Sequence, residues 1–472
     1  MDLRLAAVAA ALPPGATSGD PADLASHLTD WRGQKQGAAD LLALPATTDE
    51  VAALVKAARA NGVALVPQGG NTGLVGGSVP EPAGDGRPVV LVSTRRLDWI
   101  GEVDSGGLSL VVGAGAILAH VHAAAAARGL SFPLSLGARG SATLGGLVST
   151  NAGGVQVLRH GTMRALVLGL EAVLPDGSRL DQLRPLRKDS TGYDVKQLLI
   201  GAEGTLGIVT AVALKLVPAP ATRAVAWAAV ADPAAALALL ERLRARVGER
   251  VESFELVPGD GLALVLAHIP GTRAPVGGAH PWHCLVELAD ADGATDLEGA
   301  LQALLADAAA DGLVADATLA RSGAQAEALW ALRELLPEAE KRAGPSLKND
   351  VAVAVADLPA FHAQVSAAVA RAFPGSRPLV FGHLGDGNLH WNLRPPEGAG
   401  ADWLAHDGEA ARALLHDVVA RFGGTISAEH GLGTLKAREY ARLGDPGKLA
   451  AMRAIKAALD PVNIMNPGKL FA

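Results

Sequence analysis

The sequence predicts an α+β fold in more than one domain, and three observations carry that prediction. Strand-like and helix-like apolar runs alternate along the 472 residues, and glycine-rich turns crowd the first half. At Pro218-Ala219-Pro220 the glycine-rich stretch gives way to a plainer alternation of strands and alanine-rich helices, which marks a domain boundary. A chain of this length exceeds one ordinary domain, and 49% hydrophobic against 19% charged residues can fill large cores. The formal net charge of -7, with no concentrated basic run, argues against a nucleic-acid partner. The one cysteine, Cys284, can form neither an intrachain disulfide nor a cysteine metal knuckle, which fits a reducing, cytoplasmic setting. The apolar stretch at 5–12 is short and has a thin positive flank, so it reads as mature protein. No run approaches the ~20 apolar residues that span a bilayer, so no transmembrane segment is expected.

Thr47 and Glu50 form a capping-box pattern, Val51, Leu54 and Val55 supply a helical apolar face, and Asn61-Gly62 ends that helix before a strand at 63–66. The strand runs into Pro67-Gln68-Gly69-Gly70-Asn71-Thr72-Gly73-Leu74-Val75-Gly76-Gly77-Ser78, and a second apolar run follows at 89–92. Beyond the boundary, strands are expected at 225–230, 262–267, 284–288 and 379–381, and helices at 233–246, 324–343 and 358–372. This alternation points to a sheet with helices on one face. The stretch from Pro446 on reads as a helix followed by Asn463-Ile464-Met465-Asn466-Pro467-Gly468-Lys469.

Crowded glycines after a strand let backbone N–H groups converge on a phosphate, because a residue without Cβ can take positive φ and permits close approach. The 69–78 loop has this character, and so does Leu136-Gly137-Ala138-Arg139-Gly140-Ser141-Ala142-Thr143-Leu144-Gly145-Gly146 with its continuation to Gly154. Two such loops imply two walls around one long ligand. A third segment, Gly201-Ala202-Glu203-Gly204-Thr205-Leu206-Gly207-Ile208, repeats the pattern of small residues beside a buried strand. No G-x-G-x-x-G occurs, so the simple nicotinamide fingerprint is missing.

On these glycine-rich segments the chain resembles the FAD-binding oxidoreductases of the vanillyl-alcohol oxidase and para-cresol methylhydroxylase type, over nearly its whole length. The resemblance implies a two-subdomain FAD-binding domain at 1–218, an α+β cap domain at 219–440 and a C-terminal segment at 441–472 that returns to the flavin. It implies FAD contacts from Pro67, Gln68, Gly69, Gly70, Asn71, Thr72, Gly73 and Ser78 around the pyrophosphate. Pro133, Gly137, Ser141, Gly145, Gly146, Ser149, Asn151, Gly204, Ile208 and, in the tail, Asn466 would line the rest. Covalent relatives often carry a histidine near the position of Asn71, so FAD held without a covalent link is expected.

In the second half, Phe381-Gly382-His383-Leu384-Gly385-Asp386-Gly387-Asn388-Leu389-His390-Trp391-Asn392 places two histidines around a turn, and Ser427-Ala428-Glu429-His430-Gly431 lies about forty residues on. Two imidazoles and a carboxylate make an open ligand set for Zn²⁺ or a similar ion acting as Lewis acid. A neutral imidazole beside it, His430, can take a hydroxyl proton near neutral pH. Arg333 offers a bidentate fork to a carboxylate, and Lys348 lies on an apparent strand at 347–351.

His-Leu-Gly-Asp-Gly-Asn-Leu-His and Ser-Ala-Glu-His-Gly resemble the D-2-hydroxyglutarate dehydrogenase branch of that family, beside which the D-lactate dehydrogenases stand. The resemblance implies metal ligation by His383, His390 and Glu429, substrate contacts from Asn392, Arg333, Lys348 and His430, and His430 as the base. It implies oxidation of a D-2-hydroxy acid, first choice D-2-hydroxyglutarate, with electrons passing to an electron-transfer flavoprotein or a quinone, and it leaves room for a homodimer. Where some D-2-hydroxyglutarate enzymes have a substrate-contacting threonine one turn past the arginine, Pro337 stands here, so D-malate and D-lactate remain open. A metal-dependent hydrolase would use the same His/His/Glu set but leaves the first half unexplained.

Overall fold

A computed structural model describes residues 2–471. The chain folds as two compact units. The first comprises the N-terminal part to Gly154, Gly161–Ala219 and the chain from Glu429 on; the second comprises Val155–His160 and Pro220–Ala428.

In the first unit, Thr47 caps the helix Thr48–Asn61 by accepting the Glu50 N–H, and the Glu50 carboxylate turns back to the N–H of Ala46. Gly62, at φ 62°, ends the helix in the left-handed conformation. The chain then enters Ala64–Gln68, which pairs parallel with Val89–Ser93; that strand pairs parallel with Leu41–Ala43 on its other side. An antiparallel five-stranded sheet follows in the order Ile100–Asp104, Ser109–Gly113, Ile208–Lys215, Val167–Val173, Arg179–Gln182. The C-terminal tail comes back to the edge of the first sheet: Leu65 donates to Ile464 O and accepts from Asn466 N, both at 2.8 Å. Leu54, Leu65, Val90, Val112, Leu144, Val212 and Met465 belong to the same core.

The second unit is built on a seven-stranded antiparallel sheet in the order Asp316–Leu319, Thr222–Val230, Trp282–Asp290, Val251–Pro258, Arg377–His383, Asn388–Arg394, Val351–Ala352. Trp227, Leu285, Leu329, Trp330, Leu332 and Phe381 fill one core.

Three sequence expectations change here. The strand expected at 262–267 is part of the helix Gly259–His268: leucine and alanine favour helix, and the buried residues Gly261, Leu262 and Val265 recur at helical spacing. The helix expected at 324–343 is two helices, Gly323–Glu334 and Leu336–Arg342, because Pro337 cannot donate the N–H that a continuous helix would use. The strand expected at 347–351 is reduced to an isolated bridge from Leu347 to Leu393 and the short strand Val351–Ala352. Between them, the Asn349 N–H is taken by the Asn392 side chain at 3.1 Å.

Candidate active site

In the first unit the two glycine-rich loops meet. A Cβ on Gly70 would lie 2.0 Å from Ser141 O, so only glycine lets these two backbones approach, and one on Gly69 would lie 2.1 Å from the side-chain Oγ1 of Thr143. Gly145 and Gly146 lie on the helix Leu144–Thr150, together with Ser149, and Asn151 caps it in the left-handed conformation. Gly204, at φ 74°, faces the Pro67 ring, which a Cβ would meet at 3.0 Å. Gln68 is committed to the protein: its amide donates to His27 O at 2.9 Å and Ser78 O at 3.0 Å, pinning both ends of the loop. Asn71 is likewise tied, donating to Thr29 O at 2.8 Å and accepting from Ser78 Oγ. Two buried acceptors on these walls have no protein partner among the described residues, Thr143 Oγ1 and Asn466 Oδ1. Buried polar atoms are rarely left unpaired, so their presence fits a polar ligand such as FAD.

The segment that carries Glu429 and His430 opens the last part of the first unit. It is held by a residue that the motif reading treated only as part of a small-residue run. Glu203, itself at φ 49°, accepts the Leu432 N–H at 2.7 Å on one carboxylate oxygen and the Gly433 N–H at 2.9 Å on the other. Burial raises its pKa above the ordinary carboxylate value, and the two N–H donors oppose that rise. Gly431, at φ 81°, packs against this carboxylate, where a Cβ would meet Glu203 Oε1 at 2.7 Å.

In the second unit, His383 ends the strand Arg377–His383 and His390 lies on the returning strand Asn388–Arg394. The turn between them needs Gly387 at φ 84°, since a Cβ there would lie 2.1 Å from Val353 O. The two rings meet edge-on with centroids 5.9 Å apart, and each offers a nitrogen within 4.8 Å of the other's. His390 Nδ1 is 4.0 Å from Asp350, which also accepts from Asn388 Nδ2.

The structure separates the two expected carboxylate holders. Arg333 is buried, donates through Nε to Glu255 Oε2 at 2.8 Å and lies over the Phe381 ring. Glu255 Oε1 is 2.6 Å from His383 Nδ1. Lys348 instead pairs with the fully buried Glu340, whose Oε2 also accepts from Asn392 Nδ2 at 2.9 Å. Sequence reasoning missed Glu203, Glu255 and Glu340. The available signal was an acidic residue inside an apolar element, as in Val251–Pro258, every residue of which is buried.

Comparison with known proteins agrees with this anatomy. Residues 39–181 match the family described as FAD binding domain, and residues 219–470 match FAD linked oxidases, C-terminal domain. The chain belongs to this family of FAD-linked oxidases. A D-2-hydroxyglutarate dehydrogenase from Xanthomonas citri pv. viticola is 39% identical over 471 residues, covering 100% of this chain and 97% of the relative. The mitochondrial D-2-hydroxyglutarate dehydrogenase of Bos taurus is 38% identical over 97% of this chain and 81% of the relative. A putative mitochondrial D-lactate dehydrogenase of Schizosaccharomyces pombe is 34% identical over 96% of this chain and 85% of the relative. Among solved structures, p-cresol methylhydroxylase superposes with a TM-score of 0.76 at 15% identity, covering 99% of this chain and 96% of that one. Alkyldihydroxyacetonephosphate synthase superposes at 0.74 and 18%, over 99% and 86%. These two likenesses show the fold. Among the described residues, no helix is long and apolar enough to cross a membrane.

Proposed function

We propose that the chain is an FAD-dependent, metal-assisted dehydrogenase of a D-2-hydroxy acid, with D-2-hydroxyglutarate its substrate and 2-oxoglutarate the product. The observation that carries this is the full-length likeness to relatives of that name, 39% identical over 100% of this chain in the Xanthomonas case. Bound FAD supplies the two-electron oxidant for the substrate's C–H bond, and a bound divalent ion, zinc by donor type, supplies the charge that acidifies the hydroxyl. His383, His390 and Glu429 would hold the ion; the paired imidazoles support this, since their nitrogens lie within 4.8 Å of one another. Arg333, Lys348 and Asn392 hold and orient carboxylate, and His430 accepts the hydroxyl proton. FAD is held without a covalent link, because Asn71 is an amide already engaged with Thr29 and Ser78. Electrons leave to an electron-transfer flavoprotein or quinone. A cytoplasmic setting is part of the same proposal and rests on the lone, buried Cys284.

A second reading, D-lactate or D-malate as substrate, is favoured by Pro337 and by the D-lactate dehydrogenase relative. Anaerobic titration with D- and L-2-hydroxy acids decides between them by bleaching of the flavin band. D-2-hydroxyglutarate should reduce the flavin at concentrations well below those needed for D-lactate, the L-acids should fail, and a chelator should stop reduction while flavin stays bound. Equal reduction by D-lactate would remove the dicarboxylate, and reduction unaffected by chelation would remove the metal.

A further inference from the structure

We propose that Glu255 is the positioning residue that fixes the ligating nitrogen of His383 and, through its other oxygen, the seat of Arg333, so that one buried carboxylate sets both metal ligand and substrate cation. The inference rests on the metal reading above. Glu255 lies on Val251–Pro258 directly across the sheet from His383, in cross-strand register. It is 1% exposed, in a place where a carboxylate is costly unless both oxygens are used. Both are used: Oε1 meets His383 Nδ1 at 2.6 Å and Oε2 meets Arg333 Nε at 2.8 Å. An ionised carboxylate can only accept, so the proton on the His383 ring sits at Nδ1 and ligation falls to Nε2. Such a carboxylate behind a ligating imidazole both orients the ring and raises its basicity. A carboxylate present only to neutralise Arg333 would have no reason to face the imidazole at hydrogen-bond distance from the opposite strand.

The substitution Glu255→Gln separates these roles with little change in shape. Arg333 can only donate, so the new amide must turn its oxygen to Arg333 and its NH₂ to His383. An NH₂ there donates to Nδ1 and moves the ring proton to Nε2, the nitrogen that must carry the lone pair. The affinity of the full-length flavoprotein for Co²⁺, read by competition with a chromophoric chelator, should fall by roughly 10- to 100-fold, with FAD retained. Arg333→Met, which leaves the Glu255–His383 bond in place, should keep most of that affinity. Histidine ¹⁵N spectra of the metal-free protein, with His383 assigned by its loss in His383→Gln, should show the proton on Nδ1 in the unsubstituted chain and on Nε2 in Glu255→Gln. Unchanged Co²⁺ affinity in Glu255→Gln overturns the inference. An Nε2 proton in the unsubstituted chain overturns it as well, without depending on whether any variant folds. Unsubstituted protein that takes up no Co²⁺ overturns the metal reading instead, and the inference with it.

Discussion

Replacing Glu203 by glutamine should loosen the segment that follows His430 while leaving the rest of its unit intact. The carboxylate accepts one backbone N–H on each oxygen, from Leu432 at 2.7 Å and Gly433 at 2.9 Å. Hydrogen bonds to a charged acceptor contribute ~1.5 to 3 kcal/mol each, against ~1 kcal/mol for a neutral pair. Glutamine can accept only one of the two as a neutral bond, and it turns an NH₂ toward the other N–H. The local cost is therefore about 2 to 5 kcal/mol. Amide exchange reports that cost directly, because exchange through local opening speeds up by the same factor as the opening constant. The amides of Leu432 and Gly433 should exchange roughly 30- to 4000-fold faster in Glu203→Gln, while those of the buried strand Ile208–Lys215 should be unaffected. Flavin reduction at saturating substrate should slow in the same variant, since His430 lies two residues before the released amide. Wild-type exchange at 432–433 would refute the assignment of Glu203 as the pin of this segment.

Gly70→Ala should weaken FAD retention, because its Cβ would lie 2.0 Å from Ser141 O and force the two loops apart. Overpacking of this kind costs ~1 to 3 kcal/mol, about 5- to 150-fold in FAD affinity, measurable by ultrafiltration of released flavin. Glu252 governs part of the acid stability. Burial would raise its pKa, but hydrogen bonds from His160, Arg159 and Gln156 outweigh that and lower it to about 2. A depressed carboxylate stabilises the fold above its unfolded pKa, near 4.5, and that contribution, about 3 kcal/mol, is lost as pH falls from there toward 2. Glu252→Gln should thus differ from wild type in urea midpoint at pH 6, and the difference should narrow as pH falls from 4.5 toward 2; parallel profiles would exclude the assignment.

How much of this was legible in the sequence depends on whether the cause was local. The capped helix Thr48–Asn61 and its glycine stop were readable because cap, apolar face and terminator lie within one short window. The glycine loops were readable because close backbone approach leaves only glycine as a choice at Gly70. The apolar run at 262–267 was misread since its leucines and alanine suit a buried strand or a buried helix equally, and only the packing of Gly261, Leu262 and Val265 decides. The three glutamates were illegible for another reason. Glu203 meets Leu432, Glu255 meets His383 and Glu340 meets Asn392, contacts 229, 128 and 52 residues apart along the chain. An apolar neighbourhood such as that of Glu255 can hint at burial, but nothing in a local window names the partner such a carboxylate meets.

Those glutamates also change what Arg333 and Lys348 can do for a second carboxylate. Each cation meets a buried carboxylate inside its own unit, Arg333 on Glu255 and Lys348 on Glu340, so each pair is neutral before any substrate arrives. If the two residues take the roles proposed above, attraction to a dicarboxylate would come less from surplus positive charge than from direction, from guanidinium and ammonium N–H groups held at fixed angles by their glutamates. Direction along this stretch is set by Pro337. In a continuous helix its N–H would bond the carbonyl four residues back, that of Arg333, and proline has none to give. The helix Gly323–Glu334 therefore ends just after Arg333, and Glu340 rides on the separate helix Leu336–Arg342. Pro337 accordingly does more than remove a threonine contact: it fixes how the Arg333 and Glu340 segments are joined, and with them the two cations that would measure the length of the acid.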